Sequence, residues 1–304
     1  TWNKLLPDVA TNVVLTAASI DRVDPAGVPQ VIHYDEGVGT GDLEQIRGGM
    51  FGYGLMDNVR EAYRFLVFNY DPGDEIFVFG FSRGAFSART FIGFIRHVGP
   101  LHRLHVGRID EAVGLYEDRL KGKDGSAEAM RKFRSTYSDK VCIGQGDEDW
   151  RCSNVPNYIS GSAPLMTIKY LGVWDTVEAM GIPEIIPGSD WFNREYDYHD
   201  ASLDTFVESA RHAVAIDERR KLFPVVRFDD VDQLNASRGF DSSSDDAPYQ
   251  ERWFPGVHGS IGGGGDIRGL SDDALMWVLT GAKRAGLRLD TARGTRIHGL
   301  RPDP

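Results

Sequence analysis

Three residues of the types that make an activated nucleophile, Ser82, Asp175 and His258, occur in that order in a chain of 304 residues. Each stands just past a run that reads as a β-strand. A serine hydroxyl is a poor nucleophile until a base takes its proton, and an imidazole is suited to take it and then pass it to a leaving group. A carboxylate on the other ring nitrogen fixes the tautomer and stabilises the imidazolium. The chemistry such a set performs is acyl transfer.

Ser82 is the centre of Gly80-Phe81-Ser82-Arg83-Gly84. A bare Gly-x-Ser-x-Gly is weak evidence in a chain with 35 glycines, and a Gly/Ser turn without chemistry is its rival reading. The flanks carry more. The apolar run Glu75 to Phe79 precedes it and the helix-like run Ala85 to Ile95 follows it, which is the strand, turn, helix setting of a nucleophile elbow. A strand reversing directly into a helix forces the serine into an unfavourable backbone conformation and crowds its neighbours two residues away, where only glycine fits. The backbone N–H of Arg83, at the start of that helix, is then placed to donate to a developing oxyanion.

His258 is the one of eight histidines in a glycine-rich turn directly after a strand-like run, Arg252 to Val257. His97, His102 and His105 lie near a helix end, and His212 falls inside a stretch that reads as helix, where packing is the expected role. Asp175 ends the strongest buried-strand signal of the chain, Met166 to Trp174; an N-cap of the following turn is its bland alternative. Asp217 is the rival acid, disfavoured because it follows the helical reading of Leu203 to Ala215 rather than a strand.

The elements that must position these residues alternate. A helix is expected over Thr11 to Ala18, capped by Thr11 or Asn12, then a strand over Val31 to Tyr34. Asp57 to Asn69 is helical, with Val59, Tyr63, Leu66 and Val67 on one face, and the turn Asp71 to Asp74 leads into the Ser82 strand. Arg108 to Tyr137 is polar with a helical period, Gly144 to Pro164 reads as a long loop, and Asp272 to Ala285 as a helix capped by Ser271. Strands alternating with helices predict an α/β protein, an α/β-hydrolase fold with a mostly parallel central sheet and helices on both faces, its chemistry at the carboxyl ends of the strands. One domain over 1–304 with a lid-like or cap insertion over 101–165 is the expected organisation.

Composition narrows the class. Hydrophobic residues at 41% and charged residues at 26% are those of a soluble globular protein, and no apolar run is long enough to span a bilayer. A net charge of −11 argues against a nucleic-acid partner and against adsorption to anionic lipid by charge alone. Cys142 and Cys152 are close enough in sequence for a short bridge or two free thiols, so they leave the compartment open. The chain begins Thr1-Trp2-Asn3 with neither an initiator Met nor a signal peptide, which reads as a trimmed start. The glycine run Ile261 to Asp266 lacks the Lys and Ser/Thr of a phosphate loop and is expected to be a flexible turn that lets His258 approach Ser82. Tyr196 to Asp200, with His33 and Asp35, has no recognised metal-ligand spacing, so no metal and no cofactor are expected; Trp191, Phe192, Tyr196 and Tyr198 are candidate cleft linings or core plugs.

Taken together, Thr1 to Asn3, Tyr34 to Thr40 (YDEGVGT), Asp71 to Arg89, Leu171 to Val177 (LGVWDTV), His212 to Arg220 (HAVAIDERR) and Trp253 to His258 (WFPGVH) resemble successive blocks of one family. It is the uncharacterised α/β-hydrolase domain family, domain of unknown function 2235, which includes type VI secretion phospholipase effectors. The resemblance implies the same triad, Ser82, Asp175 and His258. It also implies that the family opening Asp-Gly-Thr-Trp-Asn is cut to Thr1-Trp2-Asn3, so that a backbone N–H near Thr1 or Trp2 partners that of Arg83 in the oxyanion hole. One departure is visible: the family pattern Ser-Asp-Val-Gly-Gly-Gly after the histidine is Gly259 to Gly264 (GSIGGG) in this chain. The activity implied is serine-dependent cleavage of carboxylic esters, lipid or phospholipid acyl esters above all, with transient membrane-surface contact and a secretion or immunity partner for an effector. A non-catalytic hydrolase-like binding module and a metal-dependent hydrolase using the 196–200 loop are the alternatives.

Overall fold

The computed structural model describes residues 10–35, 51–177, 203–220, 224–265 and 268–290, the side chains of 51–54 excepted. The 196–200 loop, its aromatic neighbours and Thr1 to Asn3 lie outside the described residues. Among the described residues the centre is formed by four strands, β1 (Phe77–Phe81), β2 (Tyr170–Trp174), β3 (Ala210–Ala215) and β4 (Tyr249–Phe254), adjacent in that order and parallel at every pairing. Parallel neighbours require crossover connections, which bring helices onto the sheet faces.

Alternation along β2 shows how both faces are buried. Leu171 and Val173 enter a cluster with Val59, Tyr63, Leu66 and Phe94, which come from α2 (Phe51–Asn69) and α3 (Arg83–Val98). Tyr170 and Trp174 point the other way, into a cluster with Leu15 of α1 (Asn12–Ser19) and Leu275, Val278 and Leu279 of the last helix, Gly269–Arg284. On that second face Tyr170 donates its hydroxyl to the Val278 carbonyl at 2.7 Å and Trp174 its indole N–H to the Ala274 carbonyl at 3.3 Å. The buried polar tips of these aromatics therefore fix the register of the helix on the sheet.

The segment 101–165 is helical for much of its length. A short 3₁₀ helix is followed by α4 (Ile109–Leu120), α5 (Ser126–Tyr137) and α6 (Gln145–Asn154). The long loop expected over Gly144 to Pro164 thus holds α6, whose first turn carries Asp147 and Glu148 and whose last turn carries Arg151, an arrangement that complements the helix dipole. Asp147 is buried between Arg134 and Arg151, at 2.8 and 3.1 Å, and Arg134 also donates to the His97 carbonyl at 2.6 Å. The segment is thereby fastened to the C-terminal end of α3. With 16 residues, that helix separates this anchorage from Ser82 by about 24 Å.

Other expectations need correction. Val31 to Tyr34 is irregular rather than a strand: Val31 and Ile32 are exposed, and β-branched residues gain nothing without a neighbouring strand to pack on. Leu203 to Ala215 is not a helix, because its last six residues form β3 and every one of them is buried. A strand covered on both faces has no inside-outside alternation, so a short stretch such as Ala210 to Ala215 is not told from a helical one by periodicity. Ser271 is not an N-cap. It lies in the first turn of its helix, where its hydroxyl bonds the Arg268 carbonyl at 3.0 Å. Neither does the Thr11 side chain cap α1; the Asn12 amide instead donates to the carbonyls of Ile261 and Ser271, tying α1 to the chain after β4.

Candidate active site

Ser82 sits at the exit of β1, the N-cap of α3, with φ 59° and ψ −129°. A non-glycine residue held at positive φ is strained, and the fold must over-determine it. Here the Ser82 N–H donates to the Trp174 carbonyl at 3.0 Å, and its own carbonyl accepts from Ala85 N–H at 3.0 Å. A Cβ on Gly80 would lie 2.5 Å from the Gly84 carbonyl oxygen and 2.6 Å from the Ala85 Cα, so the first glycine of the motif is required by backbone crowding. Arg83 opens α3, which places its N–H at the positive end of the helix dipole.

Asp175 follows β2, also at positive φ, 38°. Its N–H donates to the Ala213 carbonyl at 2.7 Å, and its Oδ1 accepts from Ala215 N–H at 2.9 Å. That leaves Oδ2 facing His258 Nδ1 at 2.6 Å, while His258 Nε2 stands 2.7 Å from the Ser82 hydroxyl. The three side chains are 1–2% exposed as residues. Asp175, His258 and Ser82 thus form one continuous hydrogen-bonded line in which Nδ1–H donates to the carboxylate and Nε2 accepts from the hydroxyl.

His258 opens a single helical turn, α8 (His258–Gly262), numbered after α7 (Val231–Ser237), and the last helix becomes α9. Its ring lies 4.7 Å from that of Phe81, the residue before the serine. A Cβ on Gly262 would fall 2.1 Å from the Phe81 ring. Gly262 is therefore a close-packing position rather than part of a flexible turn; Gly263 and Gly264, at φ 77° and 92°, then turn the chain away.

Asp217 does follow a strand, so the reason for discounting it fails, but it is engaged elsewhere: it accepts from Gly256 N–H at 2.8 Å and joins the exits of β3 and β4. Its neighbour Glu218 is a residue that the sequence reading passes over. It accepts from the His258 N–H at 3.2 Å, and hydrogen bonds from Arg220 in the first place hold its carboxyl down at about 2. The only signal for it was its place in the HAVAIDERR block.

Cys142 is buried and Cys152 exposed, both free thiols, each facing a different oxygen of Glu148, at 3.2 and 3.8 Å. Among the described residues no group of three or more His, Cys, Asp or Glu side chains is placed to hold a metal, and no helix is long and apolar enough to cross a membrane.

Residues 1–281 match the family described as type VI secretion system phospholipase effector, Tle1-like, catalytic domain. An uncharacterized protein of Saccharomyces cerevisiae, YEL023C, is 26% identical over 237 residues, which cover 73% of this chain and 30% of the yeast protein. Two solved structures are similar over a large share of the chain. An uncharacterized protein from Pseudomonas aeruginosa aligns at 17% identity and TM-score 0.42, over 94% of this chain and 44% of its own. The Tle1 effector bound to the VgrG spike of the type 6 secretion system aligns at 20% and 0.40, over 85% and 41%. The chain spans less than half the length of each of these relatives. With the family match running over all but its last residues, the chain belongs to the Tle1-like catalytic domains of type VI secretion phospholipase effectors.

Proposed function

We propose that this chain is a serine ester hydrolase of the α/β-hydrolase fold that cleaves acyl esters of lipids or phospholipids through an acyl-enzyme. Ser82 is the nucleophile, His258 the general base and then acid, and Asp175 the carboxylate that holds the imidazole. The observation that carries this reading is the line of hydrogen bonds, 2.6 Å from Asp175 to His258 and 2.7 Å from His258 to Ser82, ending on a serine held at positive φ.

In the reaction, His258 Nε2 takes the Ser82 proton as Oγ attacks the acyl carbonyl, and negative charge moves to the carbonyl oxygen. The Arg83 N–H, at the positive end of α3, is the proposed oxyanion donor, with an N–H near Thr1 or Trp2 as its partner. The imidazolium then protonates the leaving alcohol, and the ester bond of the substrate is exchanged for one to Ser82. Water enters by the same route in reverse, giving up its proton to Nε2, and the acid is released. No metal takes part in this scheme. We keep 1–304 as one domain with 101–165 inserted in it, and as partners a lipid surface met transiently and, for an effector, a secretion or immunity protein.

The test is covalent labelling with a fluorophosphonate together with a panel of short and long p-nitrophenyl esters and phospholipids. A single adduct on Ser82, and turnover of at least one ester that is abolished in Ser82→Ala, are expected. Absence of both labelling and turnover would overturn the reading.

A further inference from the structure

A second histidine is tied to the loop that carries Asp175. His212, wholly buried in β3, presents Nδ1 to Glu251 Oε2 at 3.0 Å and Nε2 to the backbone N–H of Thr176 at 3.1 Å. Because Nε2 accepts from a backbone donor, the ring proton resides on Nδ1 and goes to Glu251, which makes the working form the neutral imidazole. Thr176 is the residue after Asp175, itself wholly buried. The positive φ of Asp175 swings the next peptide out of the β2–β3 ladder, and the N–H so freed has to find an acceptor in a place water does not reach.

We propose that His212 is a positioning residue for the reaction: by accepting the Thr176 N–H it fixes the strained peptide that aims Asp175 at His258. Three β3 residues then define the aspartate together. The Ala213 carbonyl holds its N–H, Ala215 N–H holds Oδ1, and His212 holds the peptide that follows. The kinetic part of this inference rests on the ester-hydrolase reading above; the structural part does not.

A protonated His212 would turn Nε2 into a second donor facing Thr176 N–H and release the loop. Its surroundings oppose that. Burial comes first in pushing the imidazole below the ordinary histidine range, and Arg89 from α3 pushes the same way; Glu251 from β4 and Asp175 beyond β2 pull it up. Arg227 lies against the outer oxygen of Glu251 at 2.5 Å, Asp229 acts on Arg89, and the Phe228 ring covers the imidazole at 5.0 Å. Positioning therefore holds across neutral pH and fails as acid reaches the buried ring.

The experiment compares His212→Gln, whose carbonyl oxygen can take the Nε2 place as acceptor, with His212→Leu, which has none. The first readout needs no substrate: the low-field proton resonance of the His258 N–H bonded to Asp175 is expected in wild type and the Gln variant and absent in the Leu variant. Titrated downward, it should vanish in wild type at a pH where the Gln variant keeps it, which decides the matter even where the Leu variant does not fold. The second readout is kcat, expected within about 10-fold of wild type for Gln and down by about 100-fold for Leu, with KM little changed in both. The third is the acid limb of log kcat/KM, expected to be one proton steeper in wild type than in the Gln variant, because a proton on His212 adds its own block to the reaction. A Leu variant with wild-type resonance and kcat, or a Gln variant that loses the resonance as the Leu variant does, overturns the proposal. Absence of turnover by wild type would refute the hydrolase reading alone, since the resonances still decide the role of His212.

Discussion

Among the described residues there are two buried histidine–carboxylate pairs, His212 with Glu251 and His258 with Asp175, and they differ in where the strands leave them. His212 and Glu251 are register partners on β3 and β4, inside the ladder. Asp175 and His258 stand just beyond the ends of β2 and β4. Within the ladder the outer ring nitrogen of His212 meets a backbone N–H. Past the strand ends, that of His258 meets a hydroxyl on a residue that the β1–α3 turn holds in a strained conformation. Similar side chains are therefore tied to the backbone in one place and, in the proposed reaction, left to do chemistry in the other, because at the carboxyl ends of parallel strands the ladder stops consuming donors and acceptors.

The sharpest way to break this comparison is to neutralise the outer pair. In Asp175→Asn the oxygen at Oδ1 still accepts from Ala215 N–H, so the fold should survive. The amide nitrogen at Oδ2 then faces Nδ1 and imposes the tautomer with its proton on Nε2, which cannot take the serine proton. We expect kcat to fall by about 10⁴-fold with the urea midpoint nearly unmoved. Loss of folding in proportion to activity would instead make the outer pair structural, like the inner one.

A smaller effect should come from the glycine that seats His258. A methyl on Gly262 collides with the Phe81 ring, and that ring is the surface on which the imidazole lies. Gly262→Ala is expected to cost about 1–3 kcal/mol of stability through overpacking. It should also lower kcat by about 10-fold as His258 is displaced from Ser82. Trimming the obstacle in Gly262→Ala with Phe81→Leu should restore part of the stability. A flexible turn would accept the alanine at no cost, so unchanged thermal unfolding of the single variant would return the glycine run to that simpler role.

That contrast marks what the sequence made legible. Ser82, Asp175 and His258 were findable because each follows a strand signal and the glycine pattern around Ser82 has a steric cause; the structure brings these three together. The helices with one apolar face were also readable, as Val59, Tyr63, Leu66 and Val67 all turn inward. What failed was whatever depends on burial from two sides or on a partner distant in sequence. β3 is buried on both faces and mimicked a helix, and this concealed His212 as a packing residue and disqualified Asp217 for the wrong reason. The reach of Gly262 to Phe81 crosses 181 positions of sequence, and no local pattern announces it.

The smallest effect belongs to the inner pair and reads its charge. Burial alone would push the Glu251 carboxyl up, but hydrogen bonds from His212, Phe228 N–H and Arg227 together outweigh it and hold the group at about 2. A folded-state value below the unfolded one, about 4.3, means that the ionised carboxylate stabilises the fold above that pH, and that this contribution drains away as pH falls toward 2. In Glu251→Gln the amide oxygen can keep the His212 and Phe228 bonds at the Oε2 position and loses the charge and the half-exposed Arg227. The expected loss is about 1 kcal/mol near neutral pH. Glu148 and Glu218 are held low as well, so wild type and variant will both weaken in acid, and only the difference between their urea midpoints isolates Glu251. That difference should close between about pH 4.3 and 2. A gap that stays constant through this window would mean that the pair is held by shape and hydrogen bonds rather than by charge. In that case the inner pair would differ from the outer one in kind, since the imidazolium of the proposed reaction requires a charged partner at Asp175.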